Sequence, residues 1–379
     1  MKILFVRANQ GMPDSRVEKE LYSLSKHHSV ELLGWDRTKE SHSIIEKAVK
    51  IFDKEIIFHY IAIKAPQGAG FKKILIPMLK FWCAVRNYLK RSGSEYDVVH
   101  FCDFDTVPFA FLCARKKQLK IVYDVFDYYA DSHKAPVILK YIIRKTENYI
   151  IENSDGVILC SEARVEQIYP AKPRRLAIIH NSPLQEMTME PIEIKIGETK
   201  RNRLVYVGML SEDRYLKEIA EVVAGRNDIE WHVAGFGILE DYFQNFAEKN
   251  DNVFFYGKIS YPQAVYLESK CDFMTAIYNP EVSNHKYAAP NKFYEALMLG
   301  KPIIMIRDTG MDDIVEKNSI GIVLNIDQMT FGECFNDALT ELMKKPNLVD
   351  VSVREKRIYE KEFSWFEMEH RLVNLYNEI

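Results

Sequence analysis

Short apolar runs alternate with stretches of helical periodicity along almost the whole chain, and this alternation limits the possible folds more than any other feature. Repeated strand–helix units predict an α/β protein whose parallel sheets carry helices on both faces. Ligands of such sheets bind beyond the carboxyl ends of the strands, so the loops that follow the strands are the places to look for function. The predicted strands are 2–6, 30–34, 56–63, 98–101, 121–125, 156–160, 176–180, 204–207, 229–234, 253–256, 272–276, 302–306 and 321–324.

The alternation breaks once, and the break divides the chain. Residues 182–202 hold two prolines, two methionines and four glutamates without a clear period, which is typical of a linker. We therefore expect two α/β domains that face each other across a cleft. Their predicted bounds are 1–183 and 203–360, with a linker over 184–202 and a last helix over 361–379 that closes the chain.

Composition excludes several classes of protein. The 379 residues are 47% hydrophobic and 28% charged, which leaves enough apolar surface for two cores and excludes a disordered or collagen-like chain. The six cysteines are scattered without metal-binding spacing, as expected for thiols in a reducing compartment. The first apolar run, residues 3–6, is too short for a signal peptide, and no stretch has the length of a membrane span. We expect a cytoplasmic protein, free or peripheral on the inner face of the cell membrane.

One basic segment departs from the slightly acidic whole. Residues 1–200 carry a formal charge of +6 and residues 201–379 one of −9, and no acidic residue lies between Lys64 and Glu95. Bulky apolar groups mixed with cations at 71–91 indicate contact with an anionic membrane surface. A core-packing helix with a wet basic face explains the apolar positions equally well, and no nucleic-acid-reading motif is present. The predicted membrane contacts are Lys72, Lys73, Lys80, Trp82, Arg86, Lys90 and Arg91.

Three turns in the second half follow predicted strands and contain glycine. Gly208 ends the first strand and precedes Arg214, and a glycine there lets the backbone approach a ligand whose phosphate an arginine can pair with. Gly235 lies in a tight turn, and a third glycine precedes Lys258. Each turn taken alone is equally compatible with an ordinary βα connection.

The most specific pattern is residues 290–304. Pro290 or Asn291 opens a helix, and Lys292 lies in its first turn, where free backbone N–H groups also favour an anion. Glu295, one turn further on, can accept hydrogen bonds from a ribose diol. The long loop before it, residues 278–289, is another sign of function. The alternative is an amphipathic helix with Lys292 and Glu295 on its wet face.

Together these motifs make the second half resemble the donor domain of GT-B-fold glycosyltransferases, in particular the family 4-like glycosyl transferases group 1. The first half is similar too, from its Lys-Ile-Leu-Phe-Val start to the segments 96–100 and 153–158. The resemblance implies two Rossmann-like domains, the first binding the acceptor and the second a nucleotide sugar, and a C-terminal helix that returns to the first domain.

The resemblance also implies roles for residues. Glu295 would bind the ribose, and Arg214 and Lys292 the diphosphate. The chain departs from the family pattern at Tyr287, where a second glutamate is common, and at Met209, where an arginine is common. The expected nucleotide-sugar-binding residues are Gly208, Arg214, Gly235, Lys258, Tyr287, Pro290, Asn291, Lys292 and Glu295.

On the acceptor side, Gly11 matches the glycine of a substrate-contacting loop in this fold. Asp14 and Arg16 follow it, although Asp14 also suits a helix N-cap. Asp127 is the expected cleft carboxylate, acting on the acceptor hydroxyl or positioning the transferred sugar. The Asp103-Phe104-Asp105 sequence is similar to a metal-binding motif of another glycosyltransferase fold, but a solvated loop is the more economical reading.

These expectations combine into one hypothesis. The chain would move a hexose from a UDP- or GDP-type nucleotide sugar to an acceptor, with retention and without a metal or other cofactor, using Asp127, Arg214 and Lys292 as catalytic residues. The basic segment favours a lipid-linked saccharide acceptor in surface polysaccharide biosynthesis. Two alternatives stay open, a catalytically degenerate partner subunit and a nucleotide-sugar 2-epimerase.

Overall fold

The chain forms two compact units in a computed structural model. The structure describes residues 1–41, 43–66, 71–132, 136–185, 189–197, 200–327, 329–344 and 348–379, without the side chains of residues 71 and 72. The first unit comprises residues 1–180 and 368–379, and the second comprises residues 181–367. The first unit thus ends three residues before the expected boundary at residue 183.

An eight-stranded sheet forms the centre of the first unit, in the order β3-β4-β2-β1-β5-β6-β7-β8. All neighbouring pairs are parallel except β3 and β4, which pair antiparallel. Most of these strands are buried apolar runs, as parallel sheets covered on both faces require. The strands are β1 (Lys2–Arg7), β2 (Ser29–Asp36), β3 (Ile45–Ile51), β4 (Lys54–Ala62), β5 (Val98–Cys102), β6 (Lys120–Val125), β7 (Gly156–Leu159) and β8 (Leu176–Ile178).

Strand β3 is absent from the sequence-based prediction. It is an edge strand with mostly exposed side chains, so it lacks the apolar run that identified the other strands. It joins β4 through a tight turn in which Phe52 adopts a positive φ of 53°. The helices of the first unit's N-terminal part are α1 (Ser15–Ser25), α2 (Phe71–Ser92), α3 (Phe111–Lys116), α4 (Tyr129–Ser132), α5 (Val137–Asn153) and α6 (Ala163–Gln167).

A six-stranded, fully parallel sheet forms the second unit, in the order β11-β10-β9-β12-β13-β14. Its strands are β9 (Asn202–Met209), β10 (Ile229–Phe236), β11 (Val253–Phe255), β12 (Phe273–Ala276), β13 (Ile303–Ile306) and β14 (Gly321–Leu324). The helices are α7 (Leu216–Ala224), α8 (Glu240–Ala247), α9 (Tyr261–Ser269), α10 (Asn291–Leu299), α11 (Asp312–Asn318), α12 (Phe331–Lys344) and α13 (Leu348–Ile358).

The last helix, α14 (Trp365–Glu378), begins four residues after the predicted start at residue 361, because Tyr359–Phe363 form a π-helical turn. Its C-terminal part belongs to the first unit. There the Tyr376 hydroxyl lies 2.7 Å from Nδ1 of His100, and Glu369 pairs with Lys26 at 2.8 Å. The end of the chain thus packs on α1 and β5 of the first unit.

The strand order of each sheet marks where a ligand can bind. In the first sheet the chain runs outward from β1 through β2 and then returns to β5 on the other side of β1. In the second sheet, β10 and β12 flank β9 in the same way. Such reversals open a crevice beyond the carboxyl ends of the strands. The loops after β1 and β5, and after β9 and β12, therefore border the two candidate crevices.

Candidate functional site

Two glycines shape the crevice of the second unit. A Cβ atom on Gly208 would lie 2.7 Å from Nζ of Lys292, and one on Gly235 would lie 1.8 Å from the Gly208 carbonyl oxygen. Side chains at these two positions would therefore displace the lysine or force the ends of β9 and β10 apart. The packing therefore requires glycine at both positions, whereas the expected approach of a ligand to the Gly208 backbone stays a prediction.

Lys292 lies in the first turn of α10, directly below the end of β9. Pro290 precedes the helix in extended conformation, and the exposed Asn291 is its first residue. Nζ of Lys292 is 4.7 Å from the centroid of the Tyr206 ring. Burial by itself lowers the pKa of this lysine, but Tyr206, Tyr278 and Glu295 outweigh burial and raise it. A charged ammonium is therefore held beside free backbone N–H groups, an arrangement suited to an anion.

Arg214 is oriented by residues that the sequence analysis did not identify. Its guanidinium carbon lies 3.6 Å from the Tyr278 ring centroid, and Nη1 is 3.2 Å from Nε2 of His285. Nδ1 of His285 is 2.8 Å from the Asn279 carbonyl oxygen, and Nε2 also lies 3.3 Å from Oδ2 of Asp213, so the ring is held between these groups and Arg214. Tyr278 and His285 belong to the long loop before α10. The length of that loop was the only feature of the sequence that pointed to these two residues.

Glu295 is buried beside a second carboxylate that the sequence analysis missed. Its carboxyl group is hydrogen-bonded to the Tyr261 hydroxyl. Burial, and then the negative charge of Glu295, raises the pKa of Glu268, while Lys292 lowers it. Oε2 of Glu268 has no hydrogen-bond partner among the described residues. Glu268 lies near the end of α9, where no motif distinguishes it from an ordinary helix residue.

The remaining predicted residues of this unit lie at the rim. Lys258 is exposed, with Nζ 5.1 Å from the ring centroid of Phe236 at the end of β10. Tyr287 is half-buried and ends a short 3-10 helix over Ser283–Tyr287. Met209, at the first departure from the family pattern, is exposed. These groups surround the crevice without ion pairs to its cations.

In the first unit, the loop after β1 is organised by charge pairs. Gly11 has a positive φ of 74°, and a Cβ there would lie 2.8 Å from Leu32. Asp14 caps α1 by accepting from the Val17 amide at 3.4 Å, and it also accepts from Nε of Arg7 at 2.9 Å. The helix-cap interpretation of Asp14 is therefore correct, and the same carboxylate fixes the arginine at the end of β1.

Arg16 is not free to meet an acceptor, in contrast to the prediction. It is 5% exposed, and its guanidinium donates to both Asp124 oxygens at 2.8 and 3.0 Å and to the Ile179 carbonyl at 2.7 Å. Glu20 lies 3.2 Å from Nε of Arg16, and His100 is 3.7 Å from both carboxylates. Glu20, His100 and Asp124 converge like metal ligands, but Arg16 already supplies the positive charge. The cluster ties α1 to the sheet.

The Asp103-Phe104-Asp105 segment is not the solvated loop that the sequence favoured. Asp103 has a φ of 67° and accepts from Nη1 of Arg7 at 2.7 Å and from the Phe126 amide at 2.9 Å. Burial raises the pKa of Asp103 to about 7, although Arg7 acts in the opposite direction. Asp127 is more than half exposed and pairs with Arg164 at 2.7 Å. Asp103 thus links the loops after β1 and β6.

These loops border a cavity of about 420 Å³ at the carboxyl ends of β1, β2 and β5. Its lining residues are Arg7, Ala8, Asn9, Gln10, Met12, Pro13, Trp35, Arg37, Thr38, Asp103 and Asp105. The cavity occupies the crevice that the strand order of the first sheet predicts.

The basic segment forms helix α2, which packs on the first core. The expected contact of Trp82 with lipid headgroups is not found, because this side chain and the neighbouring Phe81 both turn towards the protein. Phe81 is fully buried against Trp35, and Nε1 of Trp82 donates to the Asp105 carbonyl at 2.7 Å. The exposed residues among those predicted are Lys73, Lys80, Arg86, Lys90 and Arg91, whereas the side chain of Lys72 lies outside the described residues. No helix in the described parts of the chain is long and apolar enough to cross a membrane.

Comparison with known proteins identifies the second unit. Residues 189–358 match the family described as glycosyl transferases group 1. No curated protein sequence is significantly similar to the chain.

Solved structures match over the full length. Sucrose-phosphate synthase from Thermosynechococcus elongatus has a TM-score of 0.75 and 14% identity, covering 100% of this chain and 99% of its own. HepE of Anabaena in complex with UDP has a TM-score of 0.70 and 12% identity, with 100% of both chains covered. WaaG, a glycosyltransferase involved in lipopolysaccharide biosynthesis, has a TM-score of 0.65 and 14% identity, covering 98% of this chain and 99% of its own. The chain thus has the fold of these GT-B glycosyltransferases, and its residues 189–358 match the glycosyl transferases group 1 family.

Proposed function

We propose that this protein transfers a sugar from a nucleoside diphosphate sugar of the UDP or GDP type, bound in the crevice of the second unit. The observation that carries the proposal is the pair of oriented cations, Lys292 in the first turn of α10 and Arg214 on the face of Tyr278. A half-buried ammonium and a planar guanidinium beside the N–H groups of a helix N-terminus suit a diphosphate. HepE, a structural neighbour, is recorded in complex with UDP and with UDP-glucose.

The same cations explain how the reaction would be accelerated. Negative charge grows on the diphosphate as the bond to the sugar breaks, and preorganised positive groups lower the energy of that state. Lys292 and Arg214 would serve in this role without a metal ion, so we expect transfer to continue when EDTA is present. The departing phosphate can take the acceptor proton in a retaining reaction, which leaves Asp127 to position the acceptor.

The acceptor is proposed to be a lipid-linked saccharide of surface polysaccharide biosynthesis, reached from the membrane surface. Helix α5 supports this proposal more directly than α2 does. Val137 is 84% exposed and Ile138 and Ile142 are exposed beside it, with the exposed Lys145 on the same helix. On α2, Ile76 is 66% exposed. Exposed apolar groups among cations suit an anionic lipid surface. WaaG, a glycosyltransferase involved in lipopolysaccharide biosynthesis, has the same fold.

The donor site is tested by calorimetric titration of UDP, GDP, CDP and dTDP into the wild-type protein and into Lys292→Met and Glu295→Ala. We expect one diphosphate to bind wild type and to lose roughly 10- to 100-fold in affinity in Lys292→Met, since hydrogen bonds to charged groups contribute about 1.5–3 kcal/mol. Lys249→Met, which removes an exposed lysine, is the matched control. Absence of binding by all four diphosphates would overturn the proposal and favour a degenerate partner subunit.

The membrane proposal has its own test. Wild-type protein should sediment with vesicles of phosphatidylglycerol and phosphatidylcholine but much less with phosphatidylcholine alone. Ile138→Glu should weaken this association, whereas Ile196→Glu, at an exposed position of the second unit, should leave it unchanged. Equal sedimentation of wild type and Ile138→Glu would contradict membrane docking through α5.

A further inference from the structure

Two arginines line the cavity of the first unit, and only one of them is neutralised by carboxylates. Nε of Arg7 donates to Asp14 at 2.9 Å and Nη1 donates to Asp103 at 2.7 Å, so two carboxylates neutralise this guanidinium. Arg37 forms no ion pair with any residue that the structure describes. Its Nη2 donates to the Ala8 carbonyl at 2.9 Å, and its buried Nε has no hydrogen-bond partner in that part of the chain.

The position of Arg37 is fixed nonetheless. Its guanidinium carbon lies 4.2 Å from the ring centroid of Trp35, which is fully buried and donates from Nε1 to the Ile63 carbonyl at 2.8 Å. Stacking on a rigid indole and the hydrogen bond to Ala8 hold the plane of the guanidinium. Burial lowers the pKa of Arg37, and the positive charge of Arg7 lowers it further, while Asp105 acts in the opposite direction. A preorganised cation with too little counter-charge is suited to an anionic ligand.

The rest of the lining suits hydroxyl groups. Gln10 and Thr38 are both anchored on the buried carboxylate of Asp36, at 2.9 and 2.6 Å, which orients their remaining polar atoms. Asp103 and Asp105 supply carboxylate oxygens, acceptors for sugar hydroxyls. A neutral saccharide would leave the positive charge of Arg37 without a counter-charge, and a bare anion would leave these polar groups without hydrogen-bond partners.

We propose that this cavity binds the acceptor through a phosphate group on Arg37, and that the acceptor is therefore a phosphate-bearing sugar. Its volume of about 420 Å³ lies within the range of small-molecule sites and can hold a sugar phosphate. The inference rests on the proposed function, because it names the substrate class of the acceptor side of the same reaction. A free sugar phosphate and the diphosphate of a lipid-linked sugar present the same anionic oxygens, so both sources fit this chemistry and the probes below separate them.

The test is calorimetric titration of the full-length protein with hexose 1-phosphates, hexose 6-phosphates, the parent hexoses and farnesyl diphosphate. We expect at least one phosphorylated probe to bind more than about tenfold tighter than its parent sugar and to lose that advantage in Arg37→Met. Arg37→Lys keeps the charge without the planar fork and should retain part of the affinity. Arg174→Met, at an exposed position of the same unit, is the matched control.

The probes separate the sources of the phosphate. Arg37-dependent binding of a hexose phosphate indicates a free sugar phosphate, and Arg37-dependent binding of farnesyl diphosphate alone indicates a lipid-linked acceptor. Binding that is equal in wild type, Arg37→Met and Arg37→Lys, or no binding of any phosphorylated probe, would overturn the inference. Titration of UDP, GDP, CDP and dTDP into the same preparations distinguishes this result from failure of the proposed function, because the proposed donor site lies in the other unit.

Discussion

Glu355 on α13 provides a quantitative test of how α13 packs against α10, the helix that carries Lys292 and Glu295. Glu355 is fully buried, and neither of its carboxyl oxygens has a hydrogen-bond partner among the described residues. Helix α13 packs against α10 so closely that a Cβ on Gly300, at the end of α10, would lie within 3.1 Å of the Ser352 backbone. Burial raises the pKa of Glu355 to about 9, although Lys301 acts in the opposite direction.

This shift determines how stability depends on pH. The ordinary pKa of a glutamic acid side chain is 4.5. Between about pH 5 and pH 9 the folded protein therefore keeps a proton on Glu355 that the unfolded chain has released. The free energy of unfolding should therefore fall by about 1.4 kcal/mol for each pH unit in that window because of this group. Below about pH 5 Glu355 is protonated in both the folded and the unfolded protein, so it makes the free energy of unfolding no more dependent on pH. Above about pH 9 it is ionised in both states, and the free energy of unfolding falls no further because of this group.

Glu355→Gln replaces the acid with a neutral group of the same shape. The difference in unfolding free energy between variant and wild type should grow in favour of the variant by about 4 kcal/mol from about pH 5.5 to about pH 8.5. Urea unfolding followed by circular dichroism at several pH values measures this difference. Glu360→Gln, which removes an exposed carboxylate nearby, controls for the loss of one negative charge. Parallel stability curves for Glu355→Gln and wild type would refute the reasoning.

Two further substitutions test the packing of the second unit's crevice and the buried ion pair of the first unit. Gly208→Ala should weaken the binding of the nucleoside diphosphate while the protein still folds, because the new methyl group would lie 2.7 Å from the mobile end of Lys292. Gly225→Ala, where φ is −76° and the nearest atom lies 3.6 Å from the added carbon, is the control in the same titration, and equal affinities of Gly208→Ala and wild type would argue against this description of the site. Asp124→Asn should lower the free energy of unfolding by about 3–5 kcal/mol, because it leaves the buried Arg16 without its main counter-charge. A loss below about 1 kcal/mol in denaturant unfolding would mean that the ion pair is not needed for stability.

The helix and the glycine turns of the second unit's candidate site were largely predictable because their signals are local. Pro290 before a helix and Gly300 after it mark the bounds of α10, and the structure has the helix over Asn291–Leu299. The glycine at position 208 signalled close approach of the backbone, since glycine alone lacks the atom that would collide. Glu268 gave no such signal, because its role comes from proximity to a helix more than twenty residues further along the chain.

The basic segment shows the opposite case. Its helical periodicity predicted a helix, and residues 71–92 form one. Which side of that helix meets the core was not decided by its own residues, because Trp82 and Phe81 suit a lipid interface and a protein core equally well. The Asp105 carbonyl and the ring of Trp35, which come from other segments, turned both aromatic side chains inward.

The sequence by itself determined the strand–helix alternation, the break between the two halves and the glycines that permit close packing, because these properties depend on neighbouring residues. Only the tertiary structure decided which partner each charged side chain has. Arg16, in α1, and Arg37, after β2, belong to the same unit, yet the first is paired with Asp124, 108 positions away, and the second has no ion pair within the described chain. Whether an arginine is neutralised or left to bind an anion depends on which distant carboxylate the fold brings to it, because Coulomb interactions act across space and not along the chain.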